Sequence, residues 1–329
     1  MRAFDPLWAA ALLAAIGSVT VSATATAQNY PSRAIRFIVP YPPGGSTDYT
    51  AREIGPRLSE LLGQQLVIDN RGGAGSLIGH GLAANAAPDG HTLLFGTSSG
   101  LSIAPALGTK LSYNPQKDFA PIGLMVYAPY MFVVHASVPA QSVREFVDYA
   151  KKQPGKLNYA SSGTGTPNHL GGELLDTLAG IRTVHVPYKG GGPAMTDLLS
   201  GQIQYMLSAI PQARPHVKSG RLRAIAVGHP TRTKAAPDLP PIAETLPGFN
   251  NTTWYALLAP ARTPHAIIAR LNADLAKVLV QPDLTQRMLS QGIEAATSTP
   301  EQLREMIRSE TERWRKVIKG AGIVAEAIR

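Results

Sequence analysis

The chain has 329 residues, 44% hydrophobic and 16% charged, with a net charge of +9 and no cysteine. That is enough apolar material for two packed domains and excludes a disordered chain, while the missing thiols exclude a cysteine nucleophile, a thiolate zinc site and an iron–sulfur cluster. The 31 Lys and Arg residues are scattered, with no basic run of five and no interleaved aromatics, so no nucleic-acid groove is expected and the charge points to steering of small anions.

Residues 1–27 read as a secretory signal peptide: Arg2, an apolar run over 7–21, then Ala25-Thr26-Ala27 before Gln28. The segment carries one Arg and one Asp, so cleavage leaves the net charge unchanged. No later stretch offers the ~20 consecutive apolar residues of a membrane span, and the expected mature chain is a soluble exported protein.

From Ile35 onward, short β-rich runs alternate with helical ones, which implies an α/β architecture with mainly parallel sheets. Strands are expected at 35–39, 66–69, 92–95, 124–135, 157–160, 183–186, 203–207, 222–227 and 254–259. Helices are expected at 47–62, 76–86, 143–152, 168–179, 194–200, 264–280, 284–291 and 301–319. The last is amphipathic, with Leu303, Met306, Ile307, Val317 and Ile318 on one side and Thr299-Pro300-Glu301 as its start signal. Pro129 interrupts the apolar run over 127–134, as a strand leaving one sheet for another would require, with the return near 250–259. The expected units are 28–126 plus 250–329 and 127–249, joined by a two-strand hinge.

Two stretches repeat one device, a strand running into a glycine-rich turn and then an amphipathic helix. The first runs over 35–58 and the second over 157–178. Asp48 follows Gly45 by three residues and Asn168 follows Gly165 by three, which puts each near a helix N-terminus where free N–H groups accumulate. Two such termini facing each other bind a small anion with two ends.

Other motifs compete with this reading. Gly96-Thr97-Ser98-Ser99-Gly100 fits G-x-S-x-G after a plausible strand, so a secreted serine hydrolase with Ser98 as nucleophile is the alternative. An elbow needs a helix straight after the serine, whereas Leu101 to Pro105 does not read as one, and no acid and histidine follow in an evident triad. Thr97, Ser98 and Ser99 are therefore expected as a third hydrogen-bonding loop. Gly73-Ala74-Gly75 with Gly79 has neither the dinucleotide spacing nor the ribose acid downstream, and no glycine run precedes Lys-Ser or Lys-Thr as in a P-loop. The eight histidines form no i, i+4 pair, so neither metal nor cofactor is expected; His169, inside the second turn, is the one singled out. In the stretch 185–204, Tyr188 is a candidate wall, Gly190 to Gly192 allow close backbone approach, and Asp197 is expected to anchor a neighbouring loop.

Taken together these segments resemble the Bug family, the substrate-binding proteins of tripartite tricarboxylate transporters. The resemblance is carried by Tyr30-Pro31, Pro42-Pro43-Gly44-Gly45-Ser46-Thr47-Asp48, Asn70-Arg71-Gly72-Gly73-Ala74-Gly75, Pro88-Asp89-Gly90, Ser162-Gly163-Thr164-Gly165-Thr166-Pro167-Asn168-His169-Leu170 and Val186-Pro187-Tyr188-Lys189-Gly190. It implies a two-lobed periplasmic-binding-protein fold of type II that closes about a hinge, acts as a monomer and delivers a small mono- or dicarboxylate to a membrane permease; a sensor feeding a membrane signalling protein is a further alternative. The resemblance also implies that backbone groups of Gly44 to Asp48 and Gly163 to His169 hold the carboxylate with bridging waters. Asp48 then binds a water or a ligand amino or hydroxyl group, while Tyr41, Tyr49 and Tyr188 set the size and polarity of the site.

Overall fold

In the first strand, β1 (Ile35–Val39), Phe37 and Val39 face one side and Ile38 the other, and all three are fully buried. A strand buried on both faces belongs inside a sheet covered by helices on each side. The structure is a computed structural model and describes residues 30–323; the expected signal peptide lies outside the described residues.

β1 pairs in parallel with β2 (Leu66–Asn70) and β3 (Thr92–Thr97), with α1 (Ser46–Leu62) and α2 (Leu77–Ala84) as the intervening helices. β3 is followed by helical turns over Ser99–Ile103 and Ala104–Ala106. The long β4 (Phe119–His135) leads to α3 (Val143–Lys151), β5 (Asn158–Ser161), α4 (Pro167–Ala179), β6 (Val184–Pro187), α5 (Gly191–Leu199), β7 (Tyr205–Ala209), α6 (Ile210–Lys218) and β8 (Leu222–Val227). The return strand β9 (Thr252–Pro260) is followed by α7 (His265–Leu279), α8 (Pro282–Ser290), the two-residue β10 (Glu294–Ala295) and α9 (Pro300–Gly320).

β4 changes partners along its length. Phe119 to Pro129 pair antiparallel with β9, whereas Tyr130 to His135 pair with β7 and β8. The strand order is β2-β1-β3-β9-β4-β7-β5-β6, with β8 and β10 also on β4. The expected parallel pairing holds among β1, β2 and β3 and among β5, β6 and β7; β4 and β9 enter antiparallel because they carry the chain across in opposite directions. The change of partners falls where Pro129 marks the sequence.

Each half of the sheet has core on both faces. Phe37, Phe95 and Leu257 pack with Ile54 of α1 and Leu271 of α7, while Ile38, Leu94 and Trp254 pack with Leu303 and Ile307 of α9. In the other half Phe132, Tyr205 and Leu207 pack with Phe146, Leu170 and Leu174, and Met131, Val133 and Met206 with Met195 and Leu198. α9 spans both halves, since Trp314, Val317 and Ile318 at its far end belong to the cluster around Phe132. Its start has a capping box: the Gln302 N–H donates to Thr299 Oγ1 and the Thr299 N–H to Gln302 Oε1, at 3.1 and 2.9 Å.

α6 is absent from the helices expected from the sequence. It forms because Pro211 sits in the first turn, where its missing N–H would have no partner anyway, and because Arg214 ties the helix to the carbonyls of Ser290 and Ala235. The helical turns from Ser99 were excluded because of Gly100 and Pro105. They form because Leu101, Ile103 and Leu107 bury into the two cores and the Tyr113 hydroxyl donates to the Gly100 carbonyl at 2.7 Å. Among the described residues no helix is long and apolar enough to cross a membrane.

Candidate functional site

A cleft of about 640 Å³ opens where the turns after β1, β3 and β5 meet the crossing strands. From the first turn come Tyr41, Gly45, Ser46 and Thr47; from the turn after β3, Thr97 and Ser99; from the second turn, Ser162, Gly165, Thr166 and Pro167. Sequence reasoning had picked out all ten. Among the described residues no charged side chain lines the cleft.

Both helices that start here lack a side-chain cap. α1 has Gly45 at its N-cap and α4 has Thr166, and neither first turn receives a side-chain hydrogen bond, unlike α3 with Ser142 or α9 with Thr299. The first-turn N–H groups of Ser46 and Thr47, and of Asn168 and His169, have no intrahelical partner. Two positive helix termini thus bound one uncharged cavity.

The other expected site residues lie behind the wall and shape it. Asp48 is 4% exposed and turned inward: Oδ2 accepts from the Gly44 N–H at 3.0 Å and from Arg52 at 2.9 Å, and Oδ1 accepts from Asn70 at 3.1 Å. Asn70 donates onward to the Tyr41 carbonyl, so this set braces the first turn. The Arg52 hydrogen bond, helped by Gly44 and Asn70, outweighs burial and holds the Asp48 carboxyl below its ordinary range. With all these contacts inside the protein, Asp48 is a brace where a water or ligand contact was expected. Gly44 is placed by it and is also off the wall.

Asn168 does the same for the second turn, its Oδ1 accepting from the Ser162 hydroxyl at 3.0 Å and the Thr166 hydroxyl at 2.7 Å. His169 is buried; its Nδ1 accepts from the Gly165 N–H at 3.0 Å and its ring stacks on His185 with centroids 3.8 Å apart. Gly163 is tied back by Ser161, which takes its N–H at 3.1 Å and donates to its carbonyl at 3.0 Å. Tyr188 does not reach the cleft: its hydroxyl donates to Asp197 at 2.6 Å, while the Tyr188 and Gly190 N–H groups bond the carbonyls of Ser161 and Ser162. Tyr49 also points away, toward the Arg287 carbonyl.

Ser98 is not on the wall either. Helical turns do follow it, which removes one objection to a nucleophile elbow, but its Oγ is buried without a hydrogen-bond partner among the described residues, so no base takes its proton. His80 is committed elsewhere in the same region, donating from Nδ1 to the Ser76 carbonyl at 2.9 Å and accepting the Thr97 N–H at 3.4 Å through Nε2. It clamps two cleft turns together.

Burial pushes the His80 imidazole down to about 4, against about 6.5 unfolded. The unfolded chain therefore takes up this proton first, and the stabilisation present above pH 6.5 is lost as pH falls through about 4, at up to about 1.4 kcal/mol per pH unit. Behind the second turn, burial pushes His185 to about 4 and Asp176 up to about 6. The raised carboxyl gains stability on acidification and offsets His185 across this window. Urea denaturation at pH 6 and pH 4.5 should show a loss about 2 kcal/mol larger for the wild type than for His80→Gln; equal losses would refute the assignment.

Thr164, inside the second turn, also lines the wall, but sequence reasoning missed most of the remainder. Tyr130 and Thr253 come from the crossing strands, as does Tyr255, whose hydroxyl lies 3.0 Å from Ser46 Oγ. Thr253 Oγ1 is buried and without a partner among the described residues. Leu77, Ile103, Ala104 and Leu107 add an apolar face. Tyr130 directly follows Pro129, so the strand-crossing signal marked its place. Among the described residues no group of three His, Asp or Glu side chains is arranged to hold a metal.

A family model described as "Tripartite tricarboxylate transporter family receptor" matches residues 50–323. The chain is 35% identical to Protein BugT of Bordetella pertussis (strain Tohama I) over 317 residues, covering 94% of this chain and 97% of that one. An R. palustris protein solved with adipate is 34% identical with a TM-score of 0.78, covering 90% of this chain and 99% of its own. MatC from Rhodopseudomonas palustris, solved with bound malate, is 34% identical with a TM-score of 0.72, covering 88% and 100%. The chain therefore belongs to the tripartite tricarboxylate transporter receptor family, the Bug proteins, and is a two-lobed solute-binding receptor, not an enzyme.

Proposed function

We propose that this receptor captures a small mono- or dicarboxylate in the periplasm, as a monomer, and hands it to the membrane permease of a tripartite tricarboxylate transporter. The reading rests chiefly on the two uncapped helix N-termini, of α1 and α4, on one cleft that has no charged side chain among the described residues. Such a pair supplies N–H donors and positive potential for a carboxylate without an arginine clamp. The relatives solved with adipate and malate agree with this ligand class.

On this reading the lobes are 28–126 plus 250–329 and 127–249, and closure turns about β4 and β9 where Pro129 and Thr252 pair. α9 lies across both lobes. Ligand then favours the closed state through contacts made from both sides.

A thermal-shift screen of ligand-free protein against mono-, di- and tricarboxylates tests the reading. A ligand at 100 times its Kd adds about 2.7 kcal/mol to the folded state, which moves the midpoint by several degrees; silence across the panel with a folded, empty protein would count against it. The second turn has its own test. Gly165 has φ +77, where a β-branched side chain is strained by about 1–2 kcal/mol. Gly165→Val is expected to weaken the best ligand at least tenfold while the protein stays folded by circular dichroism; unchanged affinity would remove this turn from the site.

A further inference from the structure

Among the cleft's lining residues the polar groups are unevenly placed. Most of the hydrogen-bonding groups belong to the turns and the crossing strands, whereas the turn at Ala74 to Leu77 and the helical segment after Ser99 present Leu77, Ile103, Ala104 and Leu107, with Thr109 as the polar neighbour just beyond. Ile103 and Leu107 are backed by the core cluster that holds Phe132 and Trp314, so this face is anchored in packed core. A solute held only by its carboxylate would leave such a face without a partner.

We infer that the ligand is a carboxylate with an apolar body, alkyl or aromatic, lying against Leu77, Ile103, Ala104 and Leu107, in preference to a short hydroxylated acid or a tricarboxylate. The inference rests on the carboxylate reading above. Three observations carry it. The cavity of about 640 Å³ is in the middle of the range for sites that enclose ligands on several sides. The apolar face continues the same cavity as the two helix termini. With no charged side chain on the wall among the described residues, a carboxylate beyond the reach of the two termini would be buried without a counter-charge, which is among the least favourable groups to bury. One carboxylate shared by the termini, or one on each, leaves the apolar face for carbon in either case.

Calorimetric titration of the mature protein with acetate, butanoate, hexanoate, benzoate, malate and citrate tests this. Affinity is expected to rise about fourfold per methylene along the aliphatic series, with hexanoate and benzoate at least tenfold tighter than malate. Ala104 is half-buried and faces the cleft, so Ala104→Gln adds polar bulk there without removing a core side chain. It should weaken hexanoate and benzoate at least tenfold and acetate by no more than about threefold. A flat aliphatic series, or malate or citrate binding more tightly than hexanoate, overturns the inference and leaves the carboxylate reading standing. No binding by any acid in the series overturns both.

Discussion

Gly171→Ala is expected to destabilise the protein by at least about 2 kcal/mol, although alanine is the better helix former. Gly171 lies within α4, and a Cβ there would come within 1.5 Å of Asn251 Nδ2 and 2.5 Å of Leu207. Asn251 is fully buried at the entry to β9 and donates to the Pro167 carbonyl at 2.7 Å, tying the crossing strand to the start of α4. The propensity gain is about 1 kcal/mol. Overpacking costs about 1–3 kcal/mol and an orphaned buried amide a further 1–3 kcal/mol, so the losses win. Urea denaturation midpoints measure the effect, and a double-mutant cycle assigns its cause: in an Asn251→Ala background the same glycine substitution should cost much less. A stabilised single variant, or strict additivity with Asn251→Ala, would contradict the packing account.

Asp48→Ala should weaken carboxylate binding at least tenfold and remove about 1–3 kcal/mol of stability, because it leaves the Gly44 N–H without its acceptor behind the first turn and the Asn70 amide with only the Tyr41 carbonyl. The ion pair itself matters little. The Arg52 side chain is 57% exposed, and pairs of that kind contribute about 0–1 kcal/mol, so Arg52→Ala should cost less than 1 kcal/mol and leave binding nearly unchanged. Because the folded carboxyl titrates below its unfolded value, its stabilisation is present above about pH 4 and is lost as pH falls through the lower folded value. Titration calorimetry of the two variants against the best carboxylate separates these roles. Equal losses for both would mean that charge, and not the brace, holds the turn.

Local patterning made much of the fold legible. Strands buried on both faces, such as β1 and β3, read as largely apolar runs, β1 interrupted only by Arg36, and the two strand-to-turn-to-helix devices stood out through Gly45 and Gly165. Pro129 marked the change of partners in β4. What local reading could not supply were features set by distant contacts. α6 forms despite Pro215 because Arg214 is held from two other segments, and the turns after Ser99 form because Ile103 and Leu107 have cores to enter.

The site divides the same way. The turn residues on the cleft wall follow from the backbone device, so Gly45, Ser46, Thr47, Thr166 and Pro167 were readable from the chain. Whether a polar side chain in such a turn faces out or in depends on what stands behind it. Asn70 turns Asp48 inward, and the hydroxyls of Ser162 and Thr166 hold Asn168 back. Tyr188 is drawn away by Asp197. The tyrosines on the wall, Tyr130 and Tyr255, stand on the crossing strands, where only the tertiary arrangement shows that a strand face becomes a cleft floor.

The central claim is that one carboxylate ligand is held jointly by the N-termini of α1 and α4, and a crystal structure of the protein with the strongest-binding acid of the panel tests it most directly. Carboxylate oxygens should lie about 3 Å from first-turn N–H groups, at Ser46 or Thr47 on one side and at Asn168 or His169 on the other, directly or through one water. A ligand seated outside this cleft, or bound through one lobe alone, would contradict the account.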